Sequence, residues 1–202
     1  MSAEGGPALN TPTHLLIGAA ALARPAEDAA ARRHNLAILA GALMADAAIF
    51  VLFVWARLVQ GVSEARLWRE VYWQEPWQTL VAVGNSLPLY LALLTVGLWA
   101  RSRIAVVFAA AALLHLAFDL PFHRDDAHPH FWPFSDWRFR SPVSYWDPAY
   151  HGGLVSLAEA ALGLVLIVLL WRRFQSLPVR AALLLAFATY IAVPAYFTVM
   201  LG

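Results

Sequence analysis

The dominant pattern along the chain is a series of long apolar stretches separated by short polar or aromatic segments. A bilayer core about 30 Å thick is crossed by a helix of about 20 apolar residues. Five stretches are close to that length, and each predicts a transmembrane helix: residues 36–56, 77–100, 104–120, 154–171 and 179–201. Pro88 and Pro194 lie inside two of them, where neighbouring helices make a kink tolerable.

A shorter apolar run, residues 14–23, precedes the first long stretch. At 1.5 Å per residue it reaches about 15 Å, which is half the depth of a bilayer. We therefore expect a short half-depth helix here, capped by Thr11 or Thr13 and with Pro12 near its start. The pattern predicts an all-α, polytopic membrane bundle that forms one integral membrane domain over residues 1–202.

The composition supports a membrane protein and excludes several other classes. Hydrophobic residues make up 61% of the chain and charged residues only 13%, whereas soluble domains are about 25% charged. The net charge of +1 and the lack of a basic stripe argue against nucleic acid as a partner. The chain contains no cysteine, so any metal ligand must be His, Asp or Glu.

The arginines of the loops predict an orientation. Eight lie on one side of the predicted spans and six on the other. Because cytoplasmic loops carry the excess of positive charge, we place Arg101 and Arg103 in the cytoplasm, and the long loop 121–153 then faces outward. Aromatic residues in that loop and in residues 60–76 are typical of the interface with membrane lipids.

Ionisable side chains inside apolar spans are costly and usually face a partner or a polar cavity. Four such residues stand out: Asp46, His115, Asp119 and Glu159. Asp46 has no partner nearby in sequence, so its partner must come from another helix. His115 and Asp119 are one helical turn apart on one face. They could share zinc or another divalent ion, or they could simply hydrogen bond to each other.

A cluster of potential ligands follows the third predicted span. It contains His123, Asp125, Asp126, His128 and His130. Pro121 argues against a helix that continues through this segment. The cluster could be an ordinary solvated loop or part of a metal site; in the second case His128 is the strongest candidate and His123 the next.

Two further residues have more than one reading. His14 opens the short N-terminal helix and could be a metal ligand or a packed core residue. Glu159, in the fourth predicted span, could be a general base, a group that orients a ligand, or the partner of an arginine.

Four motifs, taken together and in order, resemble a known family. They are TPTHLLIG at 11–18, GALMAD at 41–46, HLAFD at 115–119 and HPHFWPFS at 128–135. They are similar to the bacterial family of membrane-bound metal-dependent hydrolases, whose best-known member is a LexA-regulated inner-membrane protein. The resemblance covers roughly residues 11–170. It implies a multi-pass protein of the bacterial inner membrane, with distant similarity to zinc-dependent phospholipases in its use of His and Asp.

The resemblance also implies a metal site. Its ligands by position are His14, Asp46, His115 and Asp119, and less directly His128. The family usually has Pro-Asp followed by a second acidic residue where this chain has Asp46 flanked by alanines. The loss of one carboxylate could weaken metal binding or mark a degenerate scaffold.

These observations lead to two main hypotheses. The first is a hydrolase that uses zinc or a similar ion on a lipid-like or phosphoester substrate, with Glu159 or Asp126 as general base. The alternative is a non-catalytic accessory subunit of a larger membrane protein complex that retains a degenerate polar site. A third reading, haem held by two histidines such as His14 and His115, leaves Asp46 and Asp119 without a role.

Overall fold

The computed structural model describes residues 10–145 and 147–201, with side chains described as far as residue 192. Over these ranges the chain consists of helices and connecting segments. The α-helices are α1 (Asn10–Leu22), α2 (Ala29–Val54), α3 (Glu64–Arg66), α4 (Glu75–Gly84), α5 (Leu87–Trp99), α6 (Arg103–Asp119), α7 (Gly152–Arg173) and α8 (Leu177–Leu201). A π-helical turn, Trp55–Val59, extends α2, and a 3-10 turn, Leu120–Phe122, extends α6. The predicted all-α class is confirmed.

The described residues support fewer membrane spans than the sequence predicts. Three helical segments are long and apolar enough to cross a membrane: Ala29–Val59, Arg103–Phe122 and Gly152–Arg173. The helices α4 and α5 form a fourth candidate if the pair is taken as one span, although it is bent by 43°. The apolar segment Leu177–Ala192 and α1 are shorter. The sequence predicted five spans, and the described residues support three or four. The fifth predicted span, 179–201, extends beyond the residues whose side chains are described, so it stays a prediction.

The second predicted span is two helices rather than one kinked helix. The break falls at Asn85 and Ser86, before Pro88. Pro88 lies in the first turn of α5, where its missing N–H leaves no hydrogen bond unmade. Ser86 caps α5 by accepting a hydrogen bond from the Leu89 N–H. The break between the two helices is therefore stabilised by a polar side chain.

The threonines near the start of α1 join helices and do not cap one. Because α1 already begins at Asn10, both Thr11 and Thr13 lie within it, and the predicted capping role is wrong. The Thr11 hydroxyl donates a hydrogen bond to Asp46 Oδ2 of α2 at 2.5 Å. The Thr13 hydroxyl pairs with the Tyr190 hydroxyl of α8 at 2.5 Å. These bonds fix α1 against the helices beside it.

The centre of the bundle is formed by α1, α2, α6 and α7, and the most extensive contact joins α2 to α6. At Gly41 the two backbones approach so closely that a Cβ would lie 2.1 Å from the Phe108 carbonyl oxygen. Large apolar side chains such as Leu36 and Val165 remain exposed on the outside. Small residues between helices and apolar residues outside are typical of packing in membranes.

The break between α4 and α5 holds the long loop that follows α6. The Leu87 N–H donates to the His130 carbonyl at 2.9 Å, and the His130 Nδ1–H donates to the Asn85 carbonyl at 3.0 Å. The Ser86 hydroxyl donates to the Trp132 carbonyl at 2.5 Å. The loop is thereby tied down beside the end of α6.

Ser86 both caps α5 and binds the loop, whereas Ser102 only caps α6. The two serines should therefore differ in their contribution to stability. Ser86→Ala removes both the cap and the bond to the loop, so we expect a loss of about 2 kcal/mol in unfolding free energy. Ser102→Ala removes only the cap of α6, in which the Ser102 hydroxyl accepts from Ala105 N–H, and should cost about 1 kcal/mol. Unfolding of both variants in detergent measures the difference. Equal losses would contradict the role assigned to the loop bond.

Candidate metal centre

The candidate site lies where α1 meets the C-terminal end of α6. His14, His115 and Asp119 are all buried, and one possible ligand atom from each lies within 4.8 Å of the other two. We call these three residues the N-terminal triad. The predicted common face of His115 and Asp119 brings both side chains to His14, which is about one hundred residues away in sequence.

In the N-terminal triad the two imidazole rings stack on each other, and the ring of His14 also meets the carboxylate. His14 Nε2 lies 3.4 Å from Asp119 Oδ1, and the rings of His14 and His115 stack with centroids 3.8 Å apart. His115 Nδ1 lies 2.6 Å from the Ala42 carbonyl. Since a carbonyl only accepts, Nδ1 carries the proton and Nε2 presents its lone pair. This arrangement is the usual one for a metal-ligating histidine.

Several of these buried nitrogens lack an ordinary partner. Among the described residues, His115 Nε2 and both ring nitrogens of His14 have no hydrogen bond. Buried polar atoms are nearly always paired. An ion at the triad would satisfy the two histidines together.

Asp46 lies at the edge of the N-terminal triad. Its Oδ1 is 3.8 Å from His115 Nε2, and its side chain is 21% exposed, compared with 1% for that of His115. Its other oxygen accepts the hydrogen bond from Thr11. The prediction that its partner comes from another helix is confirmed.

A second group of potential ligands shares Asp119. It consists of Asp119, His123 and His128, all buried, with ligand atoms again within 4.8 Å of one another. We call it the loop triad. His123 Nε2 lies 2.8 Å from Asp119 Oδ1, and the rings of His123 and His128 are 4.9 Å apart. The 3-10 turn that contains Pro121 keeps His123 next to Asp119.

The two histidines of the loop triad have opposite electrostatic surroundings. Burial favours neutral His123, but the carboxylates of Asp119 and Asp126 prevail and raise its pKa well above the usual value. Burial, reinforced by His123, lowers the pKa of His128 to about 3. At neutral pH, His128 therefore has the uncharged imidazole that can bind a metal.

The two predicted general bases occupy different positions. Asp126 Oδ2 accepts a hydrogen bond from His123 Nδ1 at 2.8 Å, and its side chain is 23% exposed. Glu159 is buried on α7, beside Thr13 and His14. Asp126 thus flanks the loop triad, and Glu159 lies behind the N-terminal triad.

The remaining polar residues of the loop are separate from both triads. Asp125 is exposed, and His130 binds the Asn85 carbonyl at the break between α4 and α5. The structure also adds a residue that sequence reasoning missed. The ring of Tyr145 packs edge-on against His123 with centroids 5.4 Å apart, and no local sequence signal marked it.

The geometry of His14 and His115 does not suit haem ligation by this pair. Axial histidines lie on opposite faces of a haem, with their nitrogens pointing at the iron. The rings of His14 and His115 instead stack face to face at 3.8 Å, which leaves no room for a porphyrin between them.

Comparison of the chain with models of protein families finds no match. Comparisons with curated proteins and with solved structures also find none. The family suggested by the four motifs therefore stays a prediction, and the evidence for a function comes from the site itself.

Proposed function

We propose that this protein is a membrane-embedded, metal-dependent hydrolase whose N-terminal triad binds a divalent ion. The observation that carries the proposal is the convergence of His14, His115 and Asp119, from two different helices, in a buried region of an apolar bundle. Catalytic zinc sites commonly use three protein ligands and leave a position for water or substrate. Two histidines and one carboxylate form such a set.

Zinc fits these ligands best, since imidazole nitrogen and carboxylate oxygen are the ligands it takes where thiolates are lacking. When bound, a divalent ion would polarise an acyl or phosphoryl oxygen and make a water nucleophile available near neutral pH. The protein's part is to hold His115 through the Ala42 carbonyl. Asp46, 3.8 Å from His115 Nε2, can orient that ring or add a further ligand.

Asp126 is the better placed of the two general bases. Its Oδ2 contacts His123, and its Oδ1 makes no hydrogen bond among the described residues, so Oδ1 is available to accept a proton from a nearby water. Glu159 is buried beside Thr13 and His14, where its carboxyl group lies next to the ligand set without a described contact to the loop triad.

The surroundings favour a lipid-like or phosphoester substrate at the membrane interface. The loop that supplies His128 also exposes Phe131, Phe134 and Trp137, of which Phe134 is 83% exposed. Aromatic residues of this kind lie at the level of lipid headgroups. A headgroup would then reach the polar centre from the interface. By the motif resemblance, the membrane is the bacterial inner membrane.

The test compares two histidine variants in detergent-purified protein supplied with zinc. We expect His14→Gln to lower hydrolysis of a chromogenic phosphodiester or a fluorescent phospholipid by more than 100-fold, beyond the roughly 10–100-fold typical of groups that only orient a ligand. It should also lower the zinc content. His34→Gln, on α2 and outside both triads, is the matched control and should retain both.

Two outcomes would contradict the proposal. If His14→Gln hydrolysed the substrates as well as the control, the N-terminal triad would not be the catalytic site. If the wild-type protein bound zinc and hydrolysed neither substrate, the accessory-subunit hypothesis would replace the proposal, and partners in gentle detergent extracts would become the next object of study.

A further inference from the structure

Asp119 is the residue common to both groups of potential ligands. We infer that the bundle binds two divalent ions, with Asp119 as their shared carboxylate and one pair of histidines completing each site. The inference deepens the proposed function and rests on it for the role of the ions in hydrolysis. It adds a second metal site at the loop triad.

The four buried histidines of the two triads divide into two pairs. His14 and His115 stack on each other, and His123 packs against His128. Within the described part of the chain, no single group contains all four histidines; each pair is grouped with Asp119 separately. Ligand atoms on one zinc ion, each about 2.1 Å from it, lie within about 4 Å of one another. Two ions suit this division better than one.

The shared carboxylate of Asp119 can bind two cations. Asp119 Oδ1 lies 3.4 Å from His14 Nε2 and 2.8 Å from His123 Nε2, so one carboxylate already meets a histidine of each pair. An ionised carboxylate has about four lone-pair positions on two oxygens. It can therefore bind two cations at once. Binding at the loop triad replaces the proton on His123 Nε2, which leaves to solvent.

The carboxylates beside the two triads nearly balance the charge of two divalent ions. Each triad has a further carboxylate beside it: Asp46 near His115, and Asp126 on His123. Both are partly exposed, at 21% and 23%, whereas the side chains of the two histidines are at most 8% exposed. Three carboxylates around two divalent ions nearly balance their charge, which a buried site requires.

The presence of two metal ions also bears on the class of substrate. Two ions about 3.5–4 Å apart stabilise both the attacking and the leaving oxygen of an in-line displacement, and phosphatases and nucleases use such pairs. A two-ion centre at the membrane interface would therefore suit a phosphoester such as a phospholipid headgroup.

The experiment is a metal count on the full-length protein. Detergent-purified protein is stripped with a chelator, loaded with zinc, passed over a desalting column and analysed for zinc per chain. We expect two ions in wild type and in the control His34→Gln, and one ion in each of His14→Gln and His128→Gln. Two single variants on opposite sides of Asp119 guard against the failure of one to fold, and size exclusion with circular dichroism checks each.

The results separate this inference from the proposed function. One ion in wild type, unchanged in His128→Gln and accompanied by hydrolysis, would overturn the second site and leave the hydrolase proposal standing. No retained ion in wild type would overturn both. Two ions in wild type, with one lost in each variant, support the shared role of Asp119.

Discussion

Asp119→Asn is expected to abolish hydrolysis, with a fall in kcat/KM of about 1,000-fold or more at saturating zinc. Asp119 belongs to both triads, so the substitution removes the charged ligand from each. The amide that replaces it is neutral and turns N–H donors toward His14 and His123, which need a carboxylate or a cation as a partner. Steady-state kinetics and zinc content of the same preparation measure the effect.

The matched control for this prediction is Asp125→Asn, the same chemical change at an exposed position of the neighbouring loop. We expect it to keep wild-type kinetics and zinc content. If Asp119→Asn behaved like Asp125→Asn, the buried carboxylate would have only a structural role, and hydrogen bonding between Asp119 and His123 would be sufficient to explain the geometry.

Gly41→Ala should have the largest effect on stability. The added Cβ would lie 2.1 Å from the carbonyl oxygen and 3.0 Å from the Cα of Phe108. Because these are backbone atoms, no side chain can turn away, and α2 and α6 must separate. We expect a loss of about 3 kcal/mol or more, together with weaker zinc binding, since these helices carry Asp46 and His115. Thermal unfolding in detergent, with and without zinc, is the measurement.

Gly153→Ala provides the control for the same substitution. It lies in the first turn of α7, and a Cβ there meets nothing within 4 Å. Its unfolding free energy should stay within about 0.5 kcal/mol of wild type. Similar unfolding temperatures for the two alanine variants would mean that α2 and α6 are less closely packed than the structure indicates.

The part of the site that could be predicted from sequence depends on local geometry. The four-residue spacing of His115 and Asp119 fixes their common face in any α-helix, and the structure buries both. The helical class follows from apolar stretches that cannot form a soluble fold. The cost of ionisable groups in apolar spans was sufficient to select Asp46 and Glu159 as well.

The part that could not be predicted depends on contacts between distant segments. The break at Asn85 and Ser86 is fixed by hydrogen bonds to the loop residues His130 and Trp132. The sequence of residues 77–100, taken by itself, therefore predicts one continuous helix. Thr11 follows the pattern of a helix cap, yet its hydroxyl binds Asp46. Sequence patterns describe one element at a time, whereas these roles depend on which elements become neighbours.

The most direct test of the account is X-ray absorption spectroscopy at the zinc edge, on zinc-loaded wild-type protein beside His115→Ala and the control His34→Gln. We predict nitrogen and oxygen ligands at about 2.0–2.2 Å, with the scattering signature of about two imidazoles per zinc. The zinc content per chain, measured from the height of the absorption edge at equal protein concentration, should fall in His115→Ala and stay unchanged in His34→Gln. Zinc bound by oxygen alone, or an equal zinc content in all three proteins, would contradict a metal centre built on these buried histidines.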